Sequence, residues 1–254
     1  MKVVVKAGTN SLMENGKVSR KNIQLLAGQV STLRQNGIHA ILVSSGAIGM
    51  GLEKMELKGK ELDMPSKQAM AAIEQSALMH EYEKAFSAHN QKIAQVLLTN
   101  GTFADAKAFA NLKHTLNRLA ELGVIPIVNE NDAIAVEEME QKTFSDNDGL
   151  ACELAIHWNA NLLVLLTKVG GIYSHNPSKN RNAKLLNGIG QLDQIQSMEG
   201  KSTFGLGGAK SKVAAIRKAT ENGIAVAVCK IEAGALERAA NRKPNGSYFE
   251  AKRK

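Results

Sequence analysis

Residues 162–171 read LLVLLTKVGG, a run of five aliphatic residues followed by a threonine, a lysine and two glycines. A strand that is apolar at every position is covered on both faces, as strands inside a parallel sheet are. Similar short apolar runs, separated by helical patterns, occur at residues 3–5, 38–43, 93–98, 124–128 and 224–228. We therefore predict an α/β fold of three layers, an αβα sandwich with helices on both faces of a mainly parallel sheet.

The helical segments carry the usual signals for where a helix begins and ends. Ser19 can cap a helix whose apolar stripe stops before Gly37. Further helices are predicted over about residues 66–89, 106–122, 148–158 and 208–222. The 254 residues are expected to form one domain, and their 44% apolar and 22% charged content excludes a disordered chain or a coiled-coil rod.

Cysteine use and hydropathy exclude several further classes of protein. Cys152 and Cys229 are the two cysteines and form no CxxC, so neither a disulfide scaffold nor a zinc ribbon is expected. The three valines after Met1 and Lys2 are too few for a signal peptide. No apolar run reaches the roughly 18 residues that a membrane span needs. We predict a cytoplasmic protein that does not associate with membranes.

The basic balance of the chain points to an anionic partner. The net charge is +8, and residues 230–254 contribute half of it. The ten aromatic residues do not alternate with basic runs as base-stacking surfaces do, so nucleic acid is not the expected partner. A modest excess of lysine suits a small anionic substrate instead.

Polar and glycine-rich segments follow four of the predicted strands. Ligands bind at the carboxyl ends of strands in open α/β sheets, so these segments are expected to form one composite site. The segments are KAGTN at 6–10, SSGAIG at 44–49, NEND at 129–132 and TKVGG at 167–171. Glycines at 46 and 49 and in the GLGG run at 205–208 would let backbone N–H groups approach phosphate. For either run alone, a turn or a close helix–strand contact is the favoured interpretation.

Two standard nucleotide-binding motifs are absent. Gly200-Lys201-Ser202 resembles the end of a P-loop, but Ile195 occupies the position of the first glycine. Gly205 and Gly207 fit a dinucleotide fingerprint whose last glycine is replaced by Lys210. A dinucleotide-dependent oxidoreductase is therefore not favoured.

Two lysines and a DND run are the candidates for chemistry on phosphate. Lys6 ends a valine strand, where a lysine either faces an anion or reaches solvent along its own stem. Lys212 lies on the first turn of a helix, and phosphoryl transfer needs such cations around the migrating group. Asp146 is read as a helix N-cap, whereas Asp148 could orient the lysines or bind magnesium.

These segments together resemble the amino acid kinase family, and within it the members that phosphorylate glutamate. The matching segments run in order from residue 4 to residue 212 and therefore cover the whole catalytic domain. They are VVKAGT at 4–9, SSGAI at 44–48, IVNEND at 127–132, DND at 146–148 and GLGGAKSK at 205–212.

The resemblance implies ATP-dependent phosphorylation of the γ-carboxylate of L-glutamate, the first step of proline synthesis. Residues up to about 155 would bind glutamate, through Ser45, Asp132 and Asn147, and the remainder would bind the nucleotide. Lys6 and Lys212 would flank the transferred phosphoryl group, with Asp148 organising both. The nucleotide would be lined by Lys6, Thr167, Lys168, Leu206, Gly207, Gly208, Ala209, Lys210, Ser211 and Lys212. Mg²⁺ would bridge the β- and γ-phosphates, with no protein metal ligand assigned.

The resemblance also implies a homodimer or homotetramer and feedback inhibition by proline. Three departures from the family pattern stand out. Lys168 replaces the usual aspartate, Leu206 and Ala209 alter a Gly-Thr-Gly-Gly-Met loop, and no C-terminal PUA domain, an RNA-binding-like module, is expected.

Two alternatives remain open at this point. The chain could be a kinase of the same fold that acts on acetylglutamate, aspartate, carbamate or a nucleotide. It could also be a non-catalytic protein that holds anions on its basic surface.

Overall fold

The computed structural model describes residues 1–14, 17–45, 63–99, 101–134, 147–195 and 208–252. Its strands are, in chain order, β1 (Lys2–Ala7), β2 (Met13–Glu14), β3 (Lys17–Val18), β4 (His39–Ser44), β5 (Lys92–Leu98), β6 (Val124–Glu130), β7 (Leu162–Leu166), β8 (Ala225–Cys229) and β9 (Gly246–Phe249). Seven of them form one sheet in the order β5-β6-β4-β1-β7-β8-β9, and β2 pairs with β3 separately.

The helices are named in the same way. They are α1 (Thr9–Leu12), α2 (Arg20–Gln35), α3 (Met64–Ser87), α4 (Gly101–Ala104), α5 (Ala106–Glu121), α6 (Asp148–His157), α7 (Gly208–Glu221) and α8 (Ala235–Ala240), with a 3₁₀ helix at Ile189–Ile195. The predicted cap of α2 is confirmed, because the Ser19 hydroxyl accepts a hydrogen bond from the Asn22 N–H. Gly37 follows this helix with φ +72°, a conformation that glycine adopts without strain.

Alternate residues of each central strand enter two different cores. In β1, Val3 and Val5 pack into the core formed with α2, α3 and α8, whereas Val4 packs into the core formed with α5, α6 and α7. Both cores are fully buried, which is why the central strands are apolar throughout. The predicted three-layer αβα class is therefore confirmed.

A topological switch point lies at β1, the middle strand of the sheet. β4 and β7 pair with β1 on its two sides, both in parallel. The carboxyl ends of β1, β4, β6 and β7 consequently lie along one edge of the sheet, and a crevice opens where the strand order reverses. This edge is where the sequence places its candidate residues.

The far edge of the sheet differs from the sequence prediction. β9 closes it as a four-residue antiparallel strand on β8. Gly246 permits this, because a Cβ there would lie 2.1 Å from the carbonyl oxygen of Val228 and 2.4 Å from that of Gly170. Within the described ranges no helix is both long and apolar enough to cross a membrane.

Candidate active site

Two lysines share one buried carboxylate at the carboxyl end of β1. The Lys6 Nζ lies 2.8 Å from Asp148 Oδ1, and the Lys212 Nζ lies 2.7 Å from Asp148 Oδ2. Asp148 is fully buried, the Lys6 side chain is 3% exposed and the Lys212 side chain 17% exposed. We call these three residues the lysine bridge.

The alternation of β1 explains why Lys6 reaches this position. Lys6 follows Val4 by two residues, so both side chains point to the face of the sheet that α6 and α7 cover. Asp148 is in the first turn of α6, where a negative charge is stabilised by the helix dipole. A Cβ on Gly8 would lie 2.9 Å from the Lys6 Nζ, so the glycine leaves room for the ammonium group.

The lysine bridge carries two positive charges and one negative charge in a buried place. Both ammonium groups lie within ion-pairing distance of the one carboxylate, and the Lys212 contact is a charge-assisted hydrogen bond, which leaves a net charge of +1. Such a cluster suits a polyanion, because charge on a transferring phosphoryl group is spread over its equatorial oxygens.

Asn147 ties three elements together instead of capping α6. Asp146, predicted as the N-cap, is outside the described residues, and Asn147 occupies the N-cap position without a side-chain cap bond. Its Nδ2 donates to the Ser44 carbonyl oxygen at 2.8 Å and to Asn129 Oδ1 at 2.9 Å. Asn129 in turn donates to Gln75 Oε1 of α3 at 2.8 Å. These amides fasten α6 and α3 to the ends of β4 and β6.

Acidic and hydroxyl groups without hydrogen-bond partners among the described residues lie in the same region as these amides. Ser45 donates its N–H to the Ala7 carbonyl, but its buried hydroxyl has no hydrogen-bond partner among the described residues. Burial raises the pKa of Asp132 to about 6. Burial, with a smaller contribution from the Asp132 charge, raises the pKa of Glu74 to about 9. We call Ser45, Glu74, Asp132 and Asn147 the β4–β6 edge.

The residues predicted to line a nucleotide are only partly described. Thr167 is buried after β7, and its Oγ1 accepts the N–H of Gly170 at 2.9 Å. Lys168 is exposed, as is Lys210. Gly208 and Ala209 begin α7 and Ser211 follows in its first turn, whereas Leu206 and Gly207 lie outside the described residues. Their contact with a nucleotide stays a prediction.

Sequence reasoning missed Glu74. It occupies the buried stripe of α3 with Met70, Leu78 and Tyr82, at intervals of four residues. A charged residue in an otherwise apolar stripe is unusual, because buried carboxyls are rare without partners. That irregular stripe was the signal in the sequence that could have found it.

Comparisons with known proteins bear on this geometry. The amino acid kinase family matches residues 1–230. Glutamate 5-kinase of Carboxydothermus hydrogenoformans is 39% identical over all of this chain, which spans 68% of that protein. Glutamate 5-kinase of Clostridium acetobutylicum is 38% identical over all of this chain and 96% of that protein. The corresponding enzyme of Lactococcus lactis is 42% identical over 87% of this chain and 84% of that protein.

Solved structures share the fold at low sequence identity. Carbamate kinase from Giardia lamblia, bound to AMP-PNP, superposes with a TM-score of 0.68 at 16% identity and covers 98% of both chains. UMP kinase from Bacillus anthracis superposes with a TM-score of 0.64 at 13% identity, covering 99% of this chain and 96% of that one. These two likenesses support the architecture and say nothing about the acceptor.

Proposed function

The chain belongs to the amino acid kinase family, and from this premise we propose that it transfers the γ-phosphoryl group of ATP to the γ-carboxylate of L-glutamate. The product is L-glutamyl 5-phosphate, and the reaction is the first step of proline biosynthesis. Among the contacts of the structure, the lysine bridge supports this chemistry best, because it concentrates positive charge at the switch point of the sheet.

The reaction needs positioning more than proton transfer. A carboxylate with a reference pKa of about 4.3 is already ionised at neutral pH, so no general base has to activate it. An oxygen of the γ-carboxylate forms a bond to the γ-phosphorus, and the bond from that phosphorus to the β,γ-bridging oxygen breaks. The electron pair of the broken bond leaves with ADP.

Lys6 and Lys212 would neutralise the charge that the phosphoryl group carries between the two partners. Asp148 holds both ammonium groups from one carboxylate, so their separation is set before the substrates arrive. Catalysis then draws on a pre-organised electrostatic environment together with the alignment of donor and acceptor.

The β4–β6 edge would hold glutamate. Asp132 is a desolvated carboxylate with no hydrogen-bond partner among the described residues, and the α-ammonium of glutamate would supply that partner. The Ser45 hydroxyl offers a donor to a carboxylate of the substrate. Asn147 uses both Nδ2 hydrogens within the protein, which leaves its carbonyl oxygen to accept from the ammonium group.

The nucleotide would lie across the carboxyl ends of β7 and β8, near Thr167, Lys168 and the first turn of α7. Mg²⁺ fits this site as an ion of the nucleotide's own phosphates. No cluster of three metal-ligating side chains occurs in the described part of the chain, and Asp148 is engaged by two lysines. The ion would supply charge neutralisation between the β- and γ-phosphates. Cytoplasmic location, homo-oligomerisation and inhibition by proline stay predictions.

An acceptor panel tests the proposal directly. The protein is incubated with ATP, Mg²⁺ and hydroxylamine, which traps an acyl phosphate as a hydroxamate. L-glutamate should give hydroxamate together with stoichiometric ADP, whereas N-acetylglutamate, L-aspartate, carbamate and UMP should give little ADP. Turnover with another acceptor and not with glutamate would replace the proposed substrate, and no turnover with any acceptor would favour a non-catalytic anion-binding protein.

A further inference from the structure

Glu74 is a buried acid with no hydrogen-bond partner among the described residues. The residue is fully buried, and neither carboxyl oxygen has a hydrogen-bond partner among the described residues. Met70 and Leu78 lie one turn away on either side of it along α3. The next residue, Gln75, accepts the hydrogen bond from Asn129 that fastens α3 to the end of β6. Glu74 is therefore placed at the boundary between the apolar core and the β4–β6 edge.

Asp132 is the charged group that acts on Glu74. The charged residues of the elements around it are Glu130 at the end of β6, Asp132 after it, Arg20, Lys21 and Arg34 on α2, Lys92 on β5, and Lys67, His80, Glu81, Glu83 and Lys84 on α3 itself. Of these, only the Asp132 charge contributes to the shift in the pKa of Glu74. Arg20 forms a salt bridge with Glu81 at the surface, with the Arg20 Nε 2.9 Å from Glu81 Oε2.

A buried carboxyl beside an ionised one keeps its proton more tightly unless a cation lies between them. Burial and the Asp132 charge hold the pKa of Glu74 at about 9, so Glu74 keeps its proton at neutral pH. The pKa of Asp132 is about 6, so Asp132 is ionised there. At neutral pH the β4–β6 edge consequently carries one negative charge, on Asp132, and one exchangeable proton, on Glu74.

We propose that Glu74 is a second acidic group of the acceptor site, and that it releases its proton when the ammonium group of the acceptor binds beside Asp132. The step breaks the O–H bond of Glu74, leaves the electron pair on the carboxylate and passes the proton to the buffer. An ammonium group has three donors, enough for both carboxylates. The identity of the acceptor as glutamate rests on the proposed function, but the chemistry requires only a primary ammonium group.

Proton release on binding is measurable by calorimetry. L-glutamate is titrated into the protein with AMP-PNP and Mg²⁺ present, at pH 7.5, in phosphate and in Tris, which differ in ionisation enthalpy. The native protein should release close to one proton per glutamate bound. Glu74→Gln should release almost none and should bind glutamate roughly tenfold more weakly, while its affinity for AMP-PNP stays unchanged. Glu121→Gln, the same change at a 64% exposed position of α5, is the control and should match the native protein.

Unfolding gives a second readout that needs no substrate. The pKa of Glu74 is raised in the folded protein from an ordinary value near 4.5 to about 9. The folded state therefore binds more protons than the unfolded state between these values, and stability falls as pH rises through this window. The difference in melting temperature between Glu74→Gln and the native protein should increase in favour of the variant from pH 6 to pH 9. Glu121→Gln should show no such increase.

The outcomes separate this inference from the proposed function. Hydroxamate formation by the native protein, combined with equal proton release in native and Glu74→Gln, would overturn the role of Glu74 alone. Parallel melting curves of the two proteins from pH 6 to pH 9 would also overturn it. Failure of the native protein to form hydroxamate would instead remove glutamate as the acceptor, and the melting curves would still decide whether Glu74 is buried as an acid.

Discussion

The lysine bridge and the β4–β6 edge lie at the same end of one sheet, but their polar groups are satisfied differently. In the lysine bridge, both oxygens of Asp148 contact lysines at 2.8 Å and 2.7 Å. At the β4–β6 edge, the Ser45 hydroxyl and both oxygens of Glu74 lack partners among the described residues. Among the described residues, the carboxylate of the lysine bridge is ion-paired through both oxygens, whereas the β4–β6 edge retains carboxyl and hydroxyl oxygens without partners.

This difference matches what each region would meet during the reaction. The charge of a transferring phosphoryl group is the same in every turnover, so fixed cations can be built for it in advance. The substrate that accepts the phosphoryl group brings its own hydrogen-bond donors and acceptors. The protein groups that bind this substrate have no partner until it arrives. Buried polar groups without hydrogen-bond partners lower the stability of the folded protein. A ligand that forms these hydrogen bonds raises the stability again when it binds.

The largest effect should come from removing the centre of the lysine bridge. Asp148→Asn leaves the nearly buried Lys6 ammonium without its counter-charge, and breaking a buried ion pair costs about 3–5 kcal/mol of unfolding free energy. Urea denaturation should show this loss, and kcat should fall in the variant that remains folded at low temperature. Asp193→Asn is the control, since Asp193 is 69% exposed in its pair with Arg217. Equal stability of the two variants would show that the bridge does not stabilise the fold.

Lys212→Ala should affect catalysis more than folding. Lys6 still neutralises Asp148 in this variant, whereas one stabilising cation is lost from the transition state at a cost of about 3 kcal/mol, roughly a hundredfold or more in kcat. The KM for glutamate should change little. Lys218→Ala on the same helix removes an exposed lysine that pairs with Glu153 and should retain native kcat. A Lys212→Ala variant with most of its kcat would remove Lys212 from the mechanism.

Most of the fold could be predicted because its signals are local. The aliphatic run at 162–166 became a strand with the same bounds, and the Ser19 cap started α2 at the next residue. β9 was missed because a four-residue strand carries too little pattern, and its pairing depends on how closely Gly246 approaches two distant carbonyls. Short elements are determined by tertiary contacts that a linear pattern does not contain.

The site could be predicted to a different extent in its two regions. Lys6 lies at the carboxyl end of β1 and Asp148 starts α6. The topology brings these positions to one edge of the sheet, and the structure places them together. Asn147 was predicted as part of the DND run at 146–148. The sequence does not show that its side-chain amide donates hydrogen bonds to the ends of β4 and β6. Glu74 lies mid-helix, and whether its stripe faces the core or a site depends on where α3 packs.

Asp132→Asn should separate binding from stability at the β4–β6 edge. Loss of a charged partner for the substrate ammonium costs about 1.5–3 kcal/mol, so the KM for glutamate should rise roughly tenfold to a hundredfold. The pKa of Asp132 is raised in the fold to about 6 from 3.8. The folded state therefore loses stability as pH rises towards 6, and the variant should be more stable than the native protein at pH 8. The gain should shrink towards pH 4, as thermal melts at both pH values would show. If the variant keeps the native KM for glutamate, Asp132 has only a structural role in its loop.

The smallest effect should come from Lys168, an exposed cation beside the buried Thr167. If it faces the phosphates, it does so through water, where a single charge contributes below about 1 kcal/mol and salt screens it. Lys168→Asp reverses the charge, so the KM for ATP should rise a few-fold at low ionic strength and by less at about 0.5 M salt, where the Debye length is only a few ångströms. The KM for glutamate should stay the same, since the β4–β6 edge lies on the other side of β1 from β7. Lys243→Asp makes the same change of net charge at another exposed position and should leave both constants unaltered. A rise in the KM for ATP that does not depend on salt would place Lys168 in a desolvated contact, like those of the lysine bridge. An unchanged KM for ATP would place its ammonium group in solvent. The variant therefore decides whether the fixed positive charge of the lysine bridge extends to Lys168.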